Sequence, residues 1–572
     1  MGLSKIKALI SPIIFINLLA IGAVCSPACI FSADDDISKN IKNQIYYLLK
    51  TKEVSKGIDL YKQNFTDHDF EVLEQMALIL LEEGMYSRDP EKQLISLYGI
   101  TISSYSPPLH LLEMGMTSRN PYVQAATIHM LGAIGEDKSE EILKIGLGSP
   151  FFIIQLETAS ELARKRFPSA ASLLESLMYR LPPPFKVYFP EFFSMIGTPE
   201  AFVILTNLIN DAQLPVRLSS FLCAAKYGRD DLLSYIRSAA THLNSAEQEV
   251  CAKALGILGD VHSIDRLKNL ANSHSSEVRL AASFSLFELG LESYGEKILD
   301  LARNKNLFAI RLLTKLPNGK ETLKKLLPDP DFSVRINAAL SLLELRDPSC
   351  APTLLEILIQ DGRDLAIYPS FSPGKSLQCF KIIPSAAQIA EKTKSDILGI
   401  TLSIKERILG QALNLEEPVF LKIAETLFAS RQYALIPLLV HLLENLQTDG
   451  SLKLLEGQAE KIGAPLIRGY CQLALYRLGK DRKLEGRFFS WIDAEKKERL
   501  IQFRQILPWT VRENNFPFEL TPEEKSRLLI ESFEAIADRH DNKGIDFLLS
   551  AIKDGHELNR YALAGLLLRC IQ

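Results

Sequence analysis

The stretch VRLAASFSLFELG, Val278 to Gly290, returns 56 residues later as VRINAALSLLELR, Val334 to Arg346. The two agree at Val278/Val334, Arg279/Arg335, Ala282/Ala338, Ser285/Ser341, Leu286/Leu342, Glu288/Glu344 and Leu289/Leu345. With positions counted from zero at Val278, steps of 31 residues toward the N-terminus reach further copies at 247, 216, 185, 154 and 123. Position 8 then reads Leu131, Leu162, Phe193, Ala224, Leu255, Leu286, and position 11 reads Ile134, Lys165, Ile196, Tyr227, Leu258, Leu289. Position 12 reads Gly135, Arg166, Gly197, Gly228, Gly259, Gly290. Position 9 is small at Gly132, Ala163, Ser194, Ala225 and Gly256. Position 1 is long and polar throughout, at Gln124, Gln155, Lys186, Arg217, Gln248 and Arg279. After Val278 the register slips: Leu307 to Leu316 reads as an abbreviated copy and Val334 restarts the pattern.

Each column has a physical meaning. Positions 0, 4, 8 and 11 share one face of an α-helix and form a buried stripe. Small residues at position 9 let a neighbouring helix come close. Glycine at position 12 ends the helix in the left-handed conformation that costs it no Cβ clash. A second helix follows, announced at Thr198-Pro199 by an N-cap and a proline at the first helical position. Ile204, Leu205 and Leu208 give that helix its apolar face, as Leu173, Leu174, Leu177 and Leu267, Leu270 do elsewhere. One such pair cannot bury both of its faces, but stacked neighbours can, in a right-handed array with a continuous core. The fold class expected is therefore all-α, an α-solenoid of stacked antiparallel helix pairs.

The pattern Val-Arg-x-x-Ala-x-x-x-Leu-x-x-Leu-Gly resembles a helix of HEAT repeats. Its 31-residue spacing is most similar to the short bacterial HEAT-like repeats of the phycobilisome-lyase type. The resemblance covers residues 119–360. It returns at Ile467-Arg468, with Cys471, Leu475, Leu478 and Gly479 in the expected columns, and again at Leu558 to Arg569. In HEAT repeats the position-1 arginine joins a ladder of bonds between neighbouring repeats. Arg217, Arg279, Arg335 and Arg468 match it, whereas Gln124, Gln155 and Gln248 depart from it. The resemblance thus implies that Arg279 bonds to the next repeat; the rival reading turns this column toward a partner.

A chain of 572 residues is too long for one core, and its 47% hydrophobic and 23% charged composition is that of an ordered protein. A net charge of −4 gives no basic face for nucleic acid. At the N-terminus Lys5 and Lys7 precede an apolar run from Ala8 to Val24, then small residues at Ser26 and Ala28 and the acidic run Asp34-Asp35-Asp36. That is the order of a secretory signal cleaved after Ala28 or Ala33, with an uncleaved anchor and a lipidated Cys29 as the alternatives. Each version places the rest of the chain outside the cytoplasm, periplasmic or secreted. The cysteines beyond this segment, Cys223, Cys251, Cys350, Cys379, Cys471 and Cys570, form no Cys-x-x-Cys pair and read as buried apolar residues.

The domain organisation expected is residues 1–33 as signal or anchor and 34–118 as N-terminal helical repeats or cap. The HEAT-like array follows at 119–360, an irregular insertion at 361–400, further repeats at 401–487 and an aromatic-rich helical cap at 488–572. The insertion holds SPGKS (Ser372 to Ser376), which resembles the end of a phosphate loop, but Pro369 stands where its first glycine belongs. The cap holds Trp491 and Trp509 and opens a helix with the capping box Thr521-Pro522-Glu523-Glu524.

No catalytic group, cofactor site or metal site is read in the chain: its histidines form no close pair, and no Gly-x-Ser-x-Gly or Gly-x-Gly-x-x-Gly occurs. The function expected is an exported, non-enzymatic scaffold binding a protein partner. A lyase-like tetrapyrrole enzyme and a membrane-anchored envelope component are the alternatives. Candidate partner-binding residues are Tyr188 and Phe192, which lie off the stripe formed by Phe185, Phe189 and Phe193, and Arg217, Arg279 and Arg335 of the polar column.

Overall fold

The structure, a computed structural model, describes residues 31–103, 108–134, 138–167, 169–360, 365–383, 391–461, 463–480, 482–502 and 520–572. The signal segment up to residue 30, Gly135, Trp509 and residues 361–364 and 384–390 of the expected insertion lie outside the described residues. The chain divides into residues 1–66 and a unit of residues 67–572. In the first, helices Phe31–Lys50 and Val54–Asn64 pack as a pair, and Gly57 lets them approach: a Cβ there would lie 3.2 Å from Leu49.

The second unit alternates two kinds of helix. The column helices, which carry the repeat register from the second onward, are α1 (Pro90–Ile102), α2 (Pro121–Ala133), α3 (Phe152–Lys165), α4 (Phe189–Ile196), α5 (Leu214–Lys226), α6 (Ser245–Ile257) and α7 (Ser276–Glu288). The abbreviated copy is α8 (Leu307–Leu312) and the restart is α9 (Phe332–Glu344). After a hairpin, β1 (Ala366–Phe371) and β2 (Gln378–Ile383), come α10 (Glu391–Ala412), α11 (Ile436–Leu446), α12 (Pro465–Arg477), α13 (Pro522–Ala537) and α14 (Asn559–Ile571). Return helices such as Pro199–Ile209 and Ile264–Leu270 connect them.

The local signals work as read. Thr198 accepts from the Ala201 N–H at 3.3 Å, and Thr521 and Glu524 complete their reciprocal capping box. Gly197, Gly228, Gly259, Gly290 and Gly479 all take positive φ, between 65° and 93°. Arg166 and Arg346 hold the same left-handed place at φ 55° and 56°. They keep the helix end where the glycine is lost, at a steric cost of about 1–2 kcal/mol.

Column helices stack on one another from α1 to α7 and from α8 to α14. The step from α7 to α8 runs through the return helix Ser293–Arg303, because α8 is too short to reach back alone. The column helices pack on one another more extensively than the return helices do. The stack then closes: α14 packs against α1 and against the return helix Phe70–Tyr86. Gly99 and Gly565 make this joint, since a Cβ on Gly565 would lie 2.0 Å from the Gly99 carbonyl oxygen. Tyr98 donates to Glu534 at 3.1 Å, and Arg569 to the Ile102 carbonyl at 3.4 Å. The end expected to need a cap is covered by the opposite end of the same array.

The segment expected to be irregular contributes a regular antiparallel hairpin in which Ala366 pairs with Ile383 and Phe371 with Gln378. It lies on the column layer. Asn337 of α9 donates to the Phe380 carbonyl at 2.7 Å and accepts from the Phe380 N–H at 2.9 Å. Thr401 of α10 bonds both the N–H and the carbonyl of Ile367, at 3.0 and 3.1 Å. The SPGKS tip wraps the buried carboxylate of Glu249 on α6. The Gly374 N–H at 2.9 Å and the Ser376 N–H at 3.3 Å donate to it, as do the hydroxyls of Ser376, at 2.5 Å, and Ser372. Amides converging on an anion are what a phosphate loop provides, and here the chain's own carboxylate fills the place.

Candidate functional site

The polar column at position 1 has one job. Its glutamines and the arginines Arg217, Arg279 and Arg335 each donate to the carbonyl six residues before, in the turn that ends the preceding return helix. Gln124 reaches Ser118 at 2.8 Å, Gln155 reaches Ser149 at 2.5 Å and Arg217 reaches Asp211 at 2.7 Å. Gln248 reaches His242 at 2.7 Å, Arg279 reaches Ser273 at 2.8 Å and Arg335 reaches Asp329 at 3.1 Å. Carbonyls at a helix end lack an intrahelical partner, and a long side chain with a terminal N–H supplies it. Glutamine and arginine are equivalent here, so the glutamines are not departures.

The expected bond from Arg279 to the next repeat is corrected: its Nη1 donates to the Ser273 and His274 carbonyls of the turn before it. Arg217 and Arg335 do extend further, to Glu247 at 2.5 Å and Glu356 at 2.8 Å, so they too are engaged within the chain. Lys186, the odd residue in the column, pairs with Asp211 at 2.5 Å. Replacing Arg279 by Gln should leave stability within ~0.5 kcal/mol of the native protein, whereas Met at the same place should cost about 1 kcal/mol. Urea denaturation compares the two, and equal losses would contradict the shared role.

The aromatic candidates separate. Tyr188 is 52% exposed, at the end of the 3-10 turn Pro183–Tyr188. Phe192 is buried, edge-on to Phe189 with ring centroids 5.5 Å apart. The expectation of an exposed Phe192 fails because a column helix is flanked on three sides, by α3, by α5 and by its return helix, so residues off the main stripe are covered too.

Around Tyr188 lies a set of exposed apolar residues that periodicity did not pick out. Tyr122 and Ile153 are the second residues of the adjacent helices α2 and α3, and are 75% and 59% exposed. Phe152, beside Ile153, is exposed and meets Phe185 at 5.5 Å between centroids. Tyr179 is exposed, with the Lys186 ammonium 5.9 Å from its ring centroid. The sequence signal was the apolar run Phe151-Phe152-Ile153 just before position 0, where the stripe model demands nothing.

The rest of the chemistry is structural. The six cysteines beyond the N-terminal segment are free and buried, and burial pushes the Cys223 and Cys350 thiols up to about 12. Among the described residues no His, Cys, Asp and Glu group could hold a metal ion, and no helix is long and apolar enough to cross a membrane. A cleft of about 430 Å³ is lined by Arg468, Gln472, Trp491 and Lys525, and one of about 360 Å³ by Asp211, Arg217, Tyr235 and His242. On α6, one turn beyond Glu249, the Lys253 ammonium lies 3.7 Å from the Phe284 ring centroid, and burial pushes it down to about 8.

No protein-family model and no curated protein matches the chain. Among solved structures, the complex of CpcE and CpcF of phycocyanin lyase from Nostoc sp. PCC7120 is similar at 16% identity, covering 36% of this chain and 88% of that one, with a TM-score of 0.29. A Kap121p mutant is similar at 11% identity over 94% of this chain and 79% of that one, with a TM-score of 0.31. UNC-45 from Drosophila melanogaster is similar at 13% identity over 94% and 87%, with a TM-score of 0.25. What identifies the fold is its own geometry: with paired helices, a 31-residue register and a stacked column layer, the chain is an all-α solenoid of stacked helix pairs.

Proposed function

We propose that this solenoid is an exported, non-enzymatic scaffold that binds another protein through the exposed strip at Tyr122, Phe152, Ile153, Tyr179 and Tyr188. The observation that carries the reading is the strip itself: Tyr122, Phe152 and Ile153 left in solvent at the start of adjacent column helices, with exposed Tyr179 and Tyr188 at the end of the return helix and the turn that follow. Exposed aromatics of this kind concentrate at interaction surfaces, where tyrosine is among the residues that carry most of the binding energy. The three arginines of the polar column take no part, because their donors serve the fold. Export rests on the basic, apolar and small-residue order of the first residues, and sequencing the mature N-terminus tests it.

A photo-crosslinking residue at position 153 or 179 should capture the same protein from the compartment in which the chain resides. The same probe at Leu243, fully exposed and alone, should not. The pair Ile153→Glu and Tyr188→Ala should lower capture by roughly thirtyfold, the loss of a hot spot worth about 2 kcal/mol, with the helical signal unchanged. Capture unaffected by the pair would refute the strip.

A further inference from the structure

The column layer from α6 to α10 forms a groove, and the groove holds a polypeptide segment. Most of its contacts address backbone. Asn337 takes both the N–H and the carbonyl of Phe380, Thr401 takes both from Ile367, and Glu249 takes the N–H groups of Gly374 and Ser376. At Asn337 and Thr401 such bonds do not depend on which residue supplies the backbone, whereas the approach to Glu249 needs glycine, since a Cβ on Gly374 would lie 2.7 Å from the Ala246 carbonyl oxygen. The groups are also held independently of the hairpin. Asn337 donates to its own helix at Ser333 at 2.7 Å, and Arg311 is held by Ser341 at 2.8 Å and Glu344 at 3.3 Å. Three side chains are read as well: the hydroxyls of Ser372 and Ser376 donate to Glu249, and Phe380 has the guanidinium groups of Arg311 and Arg407 5.8 and 5.3 Å from its ring centroid.

The hairpin is not part of the repeat stack, because α9 packs on α10 directly. A two-stranded hairpin is at best marginally stable alone, so its order derives from the groove. Pro369 in β1 removes one edge N–H, which limits strand addition to the hairpin itself. The geometry points to a peptide-binding groove loaded in cis: its ligand is an extended polypeptide segment with an aromatic residue beside Arg311 and Arg407 and a serine- and glycine-containing turn over Glu249, and the chain's own hairpin occupies the site until such a segment displaces it. From the scaffold reading this takes only that the natural ligand is a protein; the groove and the exposed strip are separate surfaces with separate tests.

The probe is a fluorescent peptide of residues 365–383. Because Ala366 and Ile383 are cross-strand partners, a short Gly-Ser linker can replace 366–383 in the full chain. The peptide should bind this variant saturably and bind the native chain only weakly. Asn337→Ala in the linker background should weaken binding about tenfold, the loss of two buried hydrogen bonds. Ile153→Glu should leave peptide binding unchanged, so failure of the strip and failure of the groove are told apart. No saturable binding to a folded linker variant would overturn the proposal. Should the linker variant not fold, Glu249→Gln in the intact chain decides: amides of 366–383 should exchange faster while those of α6 and α9 hold, and an equal loss in hairpin and helices would overturn it.

Discussion

Replacing Gly565 by leucine should open the closed array at one joint and leave the rest stacked. A Cβ at Gly565 would meet the Gly99 oxygen at 2.0 Å, and one at Gly99 would meet the Tyr561 oxygen at 2.3 Å. The obstacles are backbone atoms, so no rotamer change relieves them. Ordinary overpacking costs about 1–3 kcal/mol, and a leucine against two helix backbones exceeds that, so α14 separates from α1. With it go the bonds from Tyr98 to Glu534 and from Arg569 to Ile102. Hydrogen exchange should rise roughly a hundredfold in α1, α14 and Phe70–Tyr86 while α5 to α7 keep their protection, since opening is local where contacts are lost. Gly457→Leu is the control, because a Cβ there meets nothing within 4 Å. Unchanged exchange at both termini would show that the closing joint carries no stability.

What the sequence makes legible is what is local. The helix faces follow from 3.6-residue periodicity, and Gly197 to Gly290 end their helices because the left-handed conformation is a single-residue property. Closure was not legible: Gly99 and Gly565 are unremarkable as isolated glycines, and their meaning appears only when the chain ends meet. The polar column was legible as a column, but a row of donors does not say where its acceptors lie, and the acceptors proved to be each turn's own carbonyls. Phe192 was misplaced because one buried stripe describes a helix on a surface, not one between two neighbours. Glu249 and Asn337 were visible as polar residues where other copies carry Leu280 and Ala281. Their reason, the backbone of a hairpin more than a hundred or about forty residues away, was not.

Leu286→Ala should cost about 2–5 kcal/mol, the loss of a fully buried leucine together with the cavity it leaves. Where that cost is felt depends on closure. Leu286 belongs to α7, which is locked to α6 by close approach: Ser285 donates to the Ala252 carbonyl at 2.8 Å, and a Cβ on Gly256 would lie 2.3 Å from the Ser285 oxygen. Exchange should therefore rise most between residues 245 and 303 and fall off toward α12, as nearest-neighbour coupling requires. In the closed array both flanks of α7 stay anchored, because each is also reached the other way round through α14 and α1. In the Gly565→Leu background that second route is gone, and the same truncation should spread to α1 and α14 as well. The two sites share no contact, so independent effects would add within about 0.5 kcal/mol. A larger shortfall or excess measures the stability that closure itself supplies, and strict additivity with an unchanged exchange gradient would mean that the ends touch without supporting each other.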